Sequence, residues 1–131
     1  MLRLIGYWDG PAAGPGWPDV RDFVDPGMTP ERRRATVDYL RSGTPLAAAA
    51  GCSECRLCGA RNACDELTDG VHFVWPGGLA HYVEAHDVAL PDDVATVALA
   101  GPAGPVDVEE LVRVMPDVDE RWWRSLTGPG T

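Results

Sequence analysis

The amino-acid sequence predicts a small α+β fold, and two kinds of local pattern carry that prediction. The first is a set of helix signals, in which capping residues and proline at a first helical position precede spaced apolar residues. The second is an Asp-Gly pair between two short apolar runs, which is typical of a β-hairpin. With 131 residues, the chain is long enough for one domain with a hydrophobic core.

The first elements of the chain are predicted to be a strand and a loop. Residues 2–8 (LRLIGYW) have the composition of a strand. Residues 11–27 contain four prolines and are expected to form an irregular loop. Trp17, Phe23 and Val24 are expected to hold this loop against the core.

A helix is predicted to begin after Thr29. Thr29 is a suitable N-cap, Pro30 suits the first helical position, and Gly43 suits the end of the helix. Val37 and Leu40 are its expected buried residues.

The middle of the chain contains the predicted hairpin. Residues 44–51 (TPLAAAAG) are compatible with a poor strand or a helical turn. Residues 64–68 and 71–75 flank Asp69-Gly70, which suits a two-residue turn because such turns need positive φ angles.

The second half of the chain is predicted to be mainly helical. Residues 76–86 form a helix that buries Leu79 and Val83. Three more helices are expected at residues 91–101, 107–115 and 117–126. The last two begin with Asp-x-x-Glu, at 107/110 and 117/120, which resembles a capping box with Asp as the cap. We predict a domain over 1–100, followed by a linker and a C-terminal helical extension over 101–131.

The charge of the chain is divided unevenly and limits the partners that it suits. Residues 1–64 carry eight Arg against seven acids, a net of +1, whereas residues 65–131 carry three Arg against thirteen acids, a net of −10. An acidic surface repels nucleic-acid backbones, which need clustered cations. The dense basic run Arg32-Arg33-Arg34 is interpreted as a solvated helix face. The charge therefore disfavours nucleic acid and suits another protein, such as a basic one.

The expected compartment affects how the cysteines are interpreted. The opening MLRLIGYWDGP has too short an apolar run for a signal peptide, and no stretch reaches the roughly 18 apolar residues of a membrane span. A cytoplasmic location is therefore expected. Thiols stay reduced there, so clustered cysteines favour a metal over a disulfide.

Four residues have the types and the spacing of a metal site. Cys55 and Cys58 form a C-x-x-C pair, His81 follows after 22 residues, and His86 follows after four more. Zinc prefers thiolates and imidazoles in a closed tetrahedron. Five residues of an ideal helix turn through about 500°, so the helix should end near His86 if both imidazoles are to converge. The sequence predicts a structural Zn²⁺ site made of these four residues.

Two C-x-x-C pairs overlap in the sequence, Cys52/Cys55 and Cys55/Cys58, and Gly59 decides between them. A metal-binding turn directs backbone N–H groups at the sulfurs and needs positive φ after its second cysteine, which glycine adopts at little cost. Cys58 is followed by Gly59, whereas Cys55 is followed by an arginine. Cys52 and Cys64 are therefore expected to be bystanders.

Other interpretations of these residues stay open. The four cysteines come near a ferredoxin iron–sulfur run but lack its final spacing and its proline. A Cys52–Cys64 disulfide is disfavoured by the reducing compartment. The C-x-x-C pair could be buried without metal, and the two helix histidines could be ordinary surface residues. His72 is interpreted as a strand-face residue.

The order of a C-x-x-C-G turn, a hairpin and a helix with two histidines resembles a treble-clef or zinc-finger-like module. The resemblance covers residues 55–86. It departs from the two-Cys two-His finger in its 22-residue spacer, and from most treble clefs in having histidine for both helix ligands. The wider text, ELTDG…WPGGLAHYVEAH, also resembles a family of small uncharacterised bacterial proteins. This resemblance implies no particular activity.

Patterns of known catalytic sites fit the sequence poorly. Metalloprotease helices place their two histidines four apart or as H-x-x-E-H, so HYVEAH does not match. The deaminase signature has the opposite order of parts. P-loop, dinucleotide and nucleophile-elbow motifs are missing. An enzyme would need water in place of one metal ligand, with Glu84 or Asp87 as base.

The five tryptophans are expected to lie either in the hydrophobic core or on a surface that binds a partner. Three of them, Trp8, Trp17 and Trp75, are expected in the core. A stripe on the last predicted helix consists of Val118, Trp122 and Leu126. Trp123 lies beside this stripe, which either docks on its own domain or binds a partner, because Trp and Arg are favoured anchors.

The leading functional interpretation is a non-enzymatic zinc-binding protein that interacts with or regulates another protein. The alternative is a small metal-dependent enzyme with an open zinc site and Glu84 as base. A third is a nucleic-acid binder that uses the C-x-x-C turn at residues 55–58 and Arg32 to Arg34.

Overall fold

The computed structural model describes residues 1–10, 16–48, 52–114 and 117–130, with only the backbone described at 47 and 48. Within these ranges the protein contains one five-stranded mixed sheet, five α-helices and one short 3-10 helix. The predicted α+β class is confirmed. In chain order the elements are β1 (Leu2–Leu4), the 3-10 helix (Val20–Phe23), α1 (Pro30–Arg41), β2 (Thr44–Ala48), β3 (Asp65–Thr68), β4 (Phe73–Pro76), α2 (Leu79–His86), α3 (Asp92–Leu99), α4 (Val108–Val114), β5 (Val118–Asp119) and α5 (Arg121–Arg124).

The sheet joins distant parts of the chain. Its strand order is β2-β3-β4-β1-β5, with antiparallel pairing from β2 to β4 and parallel pairing of β1 with both β4 and β5. Arg3 pairs with Phe73 on one side and with Asp119 on the other. Parallel neighbours need long crossover connections, so the first strand is held by two segments that follow it much later.

Helix α1 has the predicted boundaries and caps. Thr29 Oγ1 accepts a hydrogen bond from Arg32 N at 3.2 Å, and Pro30 is the first helical residue. The two predicted core residues of this helix, Val37 and Leu40, are buried. The prediction succeeded because these signals are local in the chain.

The centre of the core lies where α1 meets β4. The Trp75 indole is fully buried, and its Nε1 donates to Leu40 O at 3.1 Å. Phe73 and Val74 are buried beside it. Successive strand residues point to opposite faces of a sheet, so burial of all three means that both faces of β4 are covered.

The β3–β4 connection is longer than the predicted two-residue turn. It spans residues 69–72, and Asp69 is buried within it. Asp69 Oδ1 accepts backbone N–H bonds from Val71, His72 and Phe73 at 3.0, 2.7 and 3.0 Å. These bonds draw the chain around the carboxylate, which explains the wider loop.

The first strand and the following loop differ in part from their prediction. Strand β1 ends at Leu4 rather than at residue 8, and Gly6 takes a positive φ of 84°. Phe23 is fully buried as expected, whereas Val24 is 40% exposed. Residues 11–15 of the loop lie outside the described ranges.

The ambiguous segment 44–51 forms a strand over its described part. Strand β2 covers Thr44–Ala48 and pairs antiparallel with β3. Residues 49–51 are not described. This segment is a strand rather than a helical turn because it pairs with β3, and the local composition does not reveal that pairing.

The predicted helix over 117–126 is wrong. Residues 118–119 form β5, paired with β1, and only Arg121–Arg124 are helical. Val118 is 44% exposed, and of the two tryptophans in this segment Trp123 is the fully buried one. Pairing of β5 with Leu2 and Arg3 outweighs the local helix signal. The predicted division of the chain at residue 101 stays a prediction.

Helices α2, α3 and α4 form where the sequence predicts them. Leu79 and Val83 of α2 are fully buried, and Asp107 Oδ1 caps α4 by accepting from Glu110 N at 3.1 Å. None of the helices in the described ranges is long and apolar enough to cross a membrane.

Candidate metal centre

Two cysteines and two histidines converge beside α2. Cys55, Cys58, His81 and His86 each offer one ligand atom, and these atoms all lie within 4.8 Å of one another. Cys55 is buried, Cys58 is exposed, and both imidazoles are partly buried. The group could hold a metal ion, whereas ligation by each residue stays a prediction.

The sulfurs of Cys55 and Cys58 are presented by a short hairpin made of residues 52–64, which is separate from the β3–β4 pair. Cys55 N donates to Ala60 O at 2.8 Å, and Gly59 N donates to Cys55 O at 2.9 Å, which closes the turn. Gly59 has the predicted positive φ, at 75°. Leu57 N donates to Cys55 Sγ at 3.4 Å. An N–H directed at sulfur is the arrangement that stabilises a metal-bound thiolate.

Helix α2 presents the two imidazoles because it ends at the second one. His86 is the last helical residue, and Asp87 turns the chain with a positive φ of 57°. The rings of His81 and His86 then lie with centroids 5.0 Å apart. The expected end of the helix near His86 is confirmed.

The spacing of the four atoms suits a tetrahedral ion. Zinc bonds of about 2.3 Å to sulfur and about 2.0 Å to nitrogen place ligand atoms about 3.3–3.8 Å apart. Cys58 Sγ and His81 Nε2 are 3.5 Å apart. The largest separation of 4.8 Å needs to close by about 1 Å, which small side-chain rotations can supply.

His86 carries an unsatisfied nitrogen. Its Nε2 is buried and has no hydrogen-bond partner among the described residues. A buried polar atom without a partner costs free energy, so native structures rarely contain one without a reason. Coordination of a metal ion by His86 would satisfy this atom.

Contacts outside the four residues fix the hairpin against α2. The Tyr82 hydroxyl accepts from Arg56 N at 2.8 Å, and Asn62 Nδ2 donates to Gly78 O at 3.0 Å. Burial raises the pKa of Tyr82, a rise that the Arg56 N–H opposes and the neighbouring Cys55 reinforces. Tyr82 and Asn62 were missed from the sequence, because no local spacing links residue 62 to residue 78.

The remaining two cysteines form a disulfide. Cys52 is bonded to Cys64, and their Cα atoms are 4.1 Å apart. The expectation that these two cysteines are bystanders without a disulfide is therefore wrong. The hairpin accounts for the pairing, because the Glu54–Arg61 bridge and the hydrogen bond from Ser53 N to Ala63 O bring residues 52 and 64 together at its open end. An all-cysteine cluster is incompatible with this bond.

Glu84, the base of the enzymatic alternative, is turned towards α1. Its carboxylate accepts two hydrogen bonds from Arg41, at 2.9 and 3.0 Å. The Arg41 hydrogen bond, followed by its charge, lowers the pKa of Glu84. Asp87, the other candidate, lies 2.6 Å from Arg33. Both candidate bases are therefore engaged by arginine side chains of α1.

Two residues of the predicted basic run hold helices together. Arg32 binds Asp92 at 3.1 Å and Leu90 O at 2.7 Å. Arg33 binds Val83 O at 2.8 Å as well as Asp87. These contacts tie α1 to the ends of α2 and α3, and they reduce the cationic surface offered to nucleic acid.

His72 has a partner that the sequence did not reveal. Its Nδ1 lies 2.9 Å from Asp69 Oδ2, on the β3–β4 loop. The same carboxylate oxygen accepts from the Tyr39 hydroxyl at 2.5 Å. The network organises the loop and lies outside the Cys/His group.

Comparisons of the chain with models of known protein families, with curated proteins and with solved structures found no match. The interpretation of the site therefore rests on its own chemistry.

Proposed function

We propose that this protein is a non-enzymatic zinc-binding protein that interacts with, or regulates, another protein. Zinc would be held by Cys55, Cys58, His81 and His86. The observation that carries the proposal is the convergence of their four ligand atoms within 4.8 Å. The buried, unpaired Nε2 of His86 supports it.

The chemistry of the four donors favours zinc in a structural role. Thiolate and imidazole together suit zinc, and a closed set of four leaves no position for a reactive water. Zinc would supply a cross-link between the hairpin and α2, which otherwise meet through a few hydrogen bonds. The engagement of Glu84 by Arg41 also speaks against hydrolytic chemistry.

We further propose that residues 55–86 form a treble-clef-like module. Its support is the order of parts, in which a cysteine-bearing turn is followed by the antiparallel strands β3 and β4 and then by α2 with both histidines. In such a module the metal joins the turn to the helix, which is how the four ligand atoms are distributed here.

Metal content and variants test the site. Protein purified without chelators should contain one zinc per chain, and Co²⁺ substitution should give thiolate charge-transfer absorption. Single changes Cys55→Ser, Cys58→Ser, His81→Ala and His86→Ala should each abolish or strongly weaken binding.

Two control variants make this experiment specific. His72→Ala and the double change Cys52→Ser, Cys64→Ser should still bind one metal per chain at saturating concentration. Full zinc retention by the His81→Ala, His86→Ala double variant would refute the assignment of the ligands.

The proposed partner is a basic protein. Residues 65–131 carry a net charge of −10. Helix α4 contains no buried residue, and it exposes Val112 by 49% and Val114 by 62% beside Glu109 and Glu110. An exposed apolar helix with acidic neighbours suits a partner with basic and apolar residues.

Capture experiments test this partner class. Deleting residues 106–131 is unsuitable because it removes the fully buried Trp123. We therefore compare the immobilised full chain with a Val112→Ser, Val114→Ser variant and with a Val71→Ser control, which changes another exposed valine. Specific partners should be basic, be lost from the α4 variant alone, and weaken with salt. Partners retained equally by all three proteins would argue against α4.

A further inference from the structure

The Cys52–Cys64 disulfide closes the same hairpin that carries two of the candidate metal ligands. The bond spans 12 positions and encloses Cys55 and Cys58. Both disulfide cysteines are exposed, as is Cys58. A solvent-accessible disulfide can be reached by small thiols, whereas a buried one cannot.

The two sulfurs of this disulfide have different surroundings. Arg61 Nη2 lies 3.7 Å from Cys52 Sγ, close enough to act as a donor. Among the described residues no such donor reaches Cys64 Sγ. A guanidinium stabilises a thiolate beside it, so cleavage should leave the negative charge on Cys52 and direct the incoming thiol to Cys64.

We propose that Cys52–Cys64 is a thiol–disulfide exchange site whose redox state sets the metal affinity of the neighbouring Cys/His group. The co-substrate is a low-molecular-weight thiol. Its thiolate attacks Cys64 Sγ, the Cys52–Cys64 bond breaks, and Cys52 leaves as a thiolate with the electron pair. The thiolate of a second small thiol then attacks the small-thiol sulfur of the mixed disulfide, that S–S bond breaks, and Cys64 leaves as a thiolate with the electron pair. The protein gains two electrons, and the two small thiols are oxidised to their disulfide.

The hairpin connects the disulfide to the candidate metal ligands, so reduction of the disulfide affects how these ligands are held. Between the disulfide and Cys55, Ser53 N donates to Ala63 O at 3.2 Å and Asn62 N donates to Ser53 O at 2.9 Å. Ala63 is held at a positive φ of 63°, which is unfavourable for a residue with a side chain. Reduction frees this end of the hairpin to relax, so ordering it around a metal costs more entropy.

The coupling should be partial and reciprocal. The turn at 55–60 keeps its own hydrogen bonds, and Asn62 keeps Gly78 within reach, so the reduced protein should still bind metal with lower affinity. By linkage, bound metal should make the disulfide harder to reduce by the same factor. This second half of the proposal rests on the proposed zinc site, whereas the exchange reaction does not.

The exchange site is tested with glutathione and intact-mass analysis of the full chain. Trapping and peptide mapping should place the mixed disulfide on Cys64 rather than Cys52. Arg61→Gln leaves the disulfide and the four ligands in place and should slow exchange by about threefold. A mixed disulfide found on Cys52, or an unchanged rate in Arg61→Gln, would overturn the assignment of roles. Failure of glutathione to react at all would overturn the exchange site.

The coupling is tested by Co²⁺ titration of the oxidised protein and of the Cys52→Ser, Cys64→Ser variant, which imitates the reduced state without a competing thiol. The variant should bind one ion about tenfold more weakly, equivalent to about 1.4 kcal/mol. Circular dichroism should show that it is folded, and the oxidised Arg61→Gln protein should keep full affinity. Equal affinities would overturn the coupling. Absence of metal binding in every form would refute the proposed function and the coupling, while the glutathione result would still decide the exchange site.

Discussion

At the residue scale, two glycines beside the candidate site are required for different reasons. Gly59 has a positive φ of 75°, and a Cβ added there would meet no atom within 4 Å. A Cβ on Gly78 would collide with the side chain and the carbonyl of Asn62. The first position is therefore limited by backbone conformation and the second by space.

Because of these differences, alanine substitutions at different glycines should lower the free energy of unfolding by different amounts. Gly59→Ala should lower the free energy of unfolding by about 1 kcal/mol, the cost of a left-handed residue with a side chain. Gly78→Ala should cost about 2–3 kcal/mol through overpacking and the strained Asn62 contact. Gly104→Ala, where a Cβ meets nothing, should be neutral or slightly stabilising. Urea denaturation measures all three, and equal costs at positions 59 and 78 would contradict this account.

Asp69 should make stability depend on acid pH. Burial alone would raise its pKa, but hydrogen bonds from Tyr39 and from three backbone N–H groups lower it below its ordinary value. A carboxyl group with a lowered folded-state pKa contributes stability above the unfolded-state pKa of about 3.8. That contribution is lost as pH falls through the folded-state pKa.

The variant Asp69→Asn tests this pH dependence. At about pH 7 it should lower the free energy of unfolding by about 2 kcal/mol, because charged, buried hydrogen bonds are lost. The difference from the wild type should shrink as the pH falls below about 4. Asp117→Asn, at an exposed residue, is the matched control. A pH-independent difference between Asp69→Asn and the wild type would show that the charge of Asp69 is not responsible.

At the element scale, the one-turn helix α5 is held by a single deeply inserted side chain. Trp123 is fully buried, and its Nε1 donates to Tyr7 O at 2.7 Å. Its ring contacts Trp8 and Phe23 at centroid distances of 5.1 and 5.6 Å. A four-residue helix has little stability of its own, so this insertion accounts for its formation.

The two neighbouring tryptophans of α5 should therefore differ in importance. Trp123→Ala should lower the free energy of unfolding by about 3–5 kcal/mol, the usual cost of removing a large buried ring. Trp122 is only partly buried, and the Cζ atom of Arg3 lies over its ring, 4.6 Å from the ring centroid. Trp122→Ala should cost about 1 kcal/mol. Chemical denaturation followed by far-UV circular dichroism distinguishes them, and a larger loss for Trp122→Ala would reverse the assignment.

At the scale of the whole molecule, the core and the candidate metal centre are distinct sources of stability. The core joins β4, α1 and α2 with Trp123, and Cys55 is the hairpin residue that is buried in it. The four candidate ligands lie on that hairpin and on α2, which itself packs on α1. Loss of metal should therefore weaken the molecule without removing the core.

Chelation should lower the melting temperature of zinc-loaded protein by about 10 °C or more, because ligand at 1,000 times its Kd stabilises by about 4 kcal/mol. Differential scanning calorimetry with and without a chelator measures the shift. Hydrogen exchange should show that protection is lost first in residues 52–64 and in α2. The His81→Ala, His86→Ala variant serves as control and should be insensitive to chelator. Equal shifts in both proteins would show that the chelator acts elsewhere.

Local features of the sequence determined helices α1 to α4 and indicated the four residues of the candidate site. The cap at Thr29 and the proline after it define the start of α1, and Gly59 marks the C-x-x-C pair that lies in the Cys/His group. These signals act within a few residues, so they are visible in the chain itself. The convergence of the cysteines with the histidines followed from the spacing known to suit zinc.

Only the tertiary structure decided the pairing of distant residues. The carboxylate of Glu84 binds Arg41 rather than facing the metal group, Cys52 joins Cys64, and residues 118–119 leave a local helix pattern to become a strand. These outcomes depend on which segments are brought together by the sheet, by the packing of α1 and by the hairpin of residues 52–64. Free energy from such non-local contacts exceeds the small preferences of local sequence, so no local pattern could have revealed them.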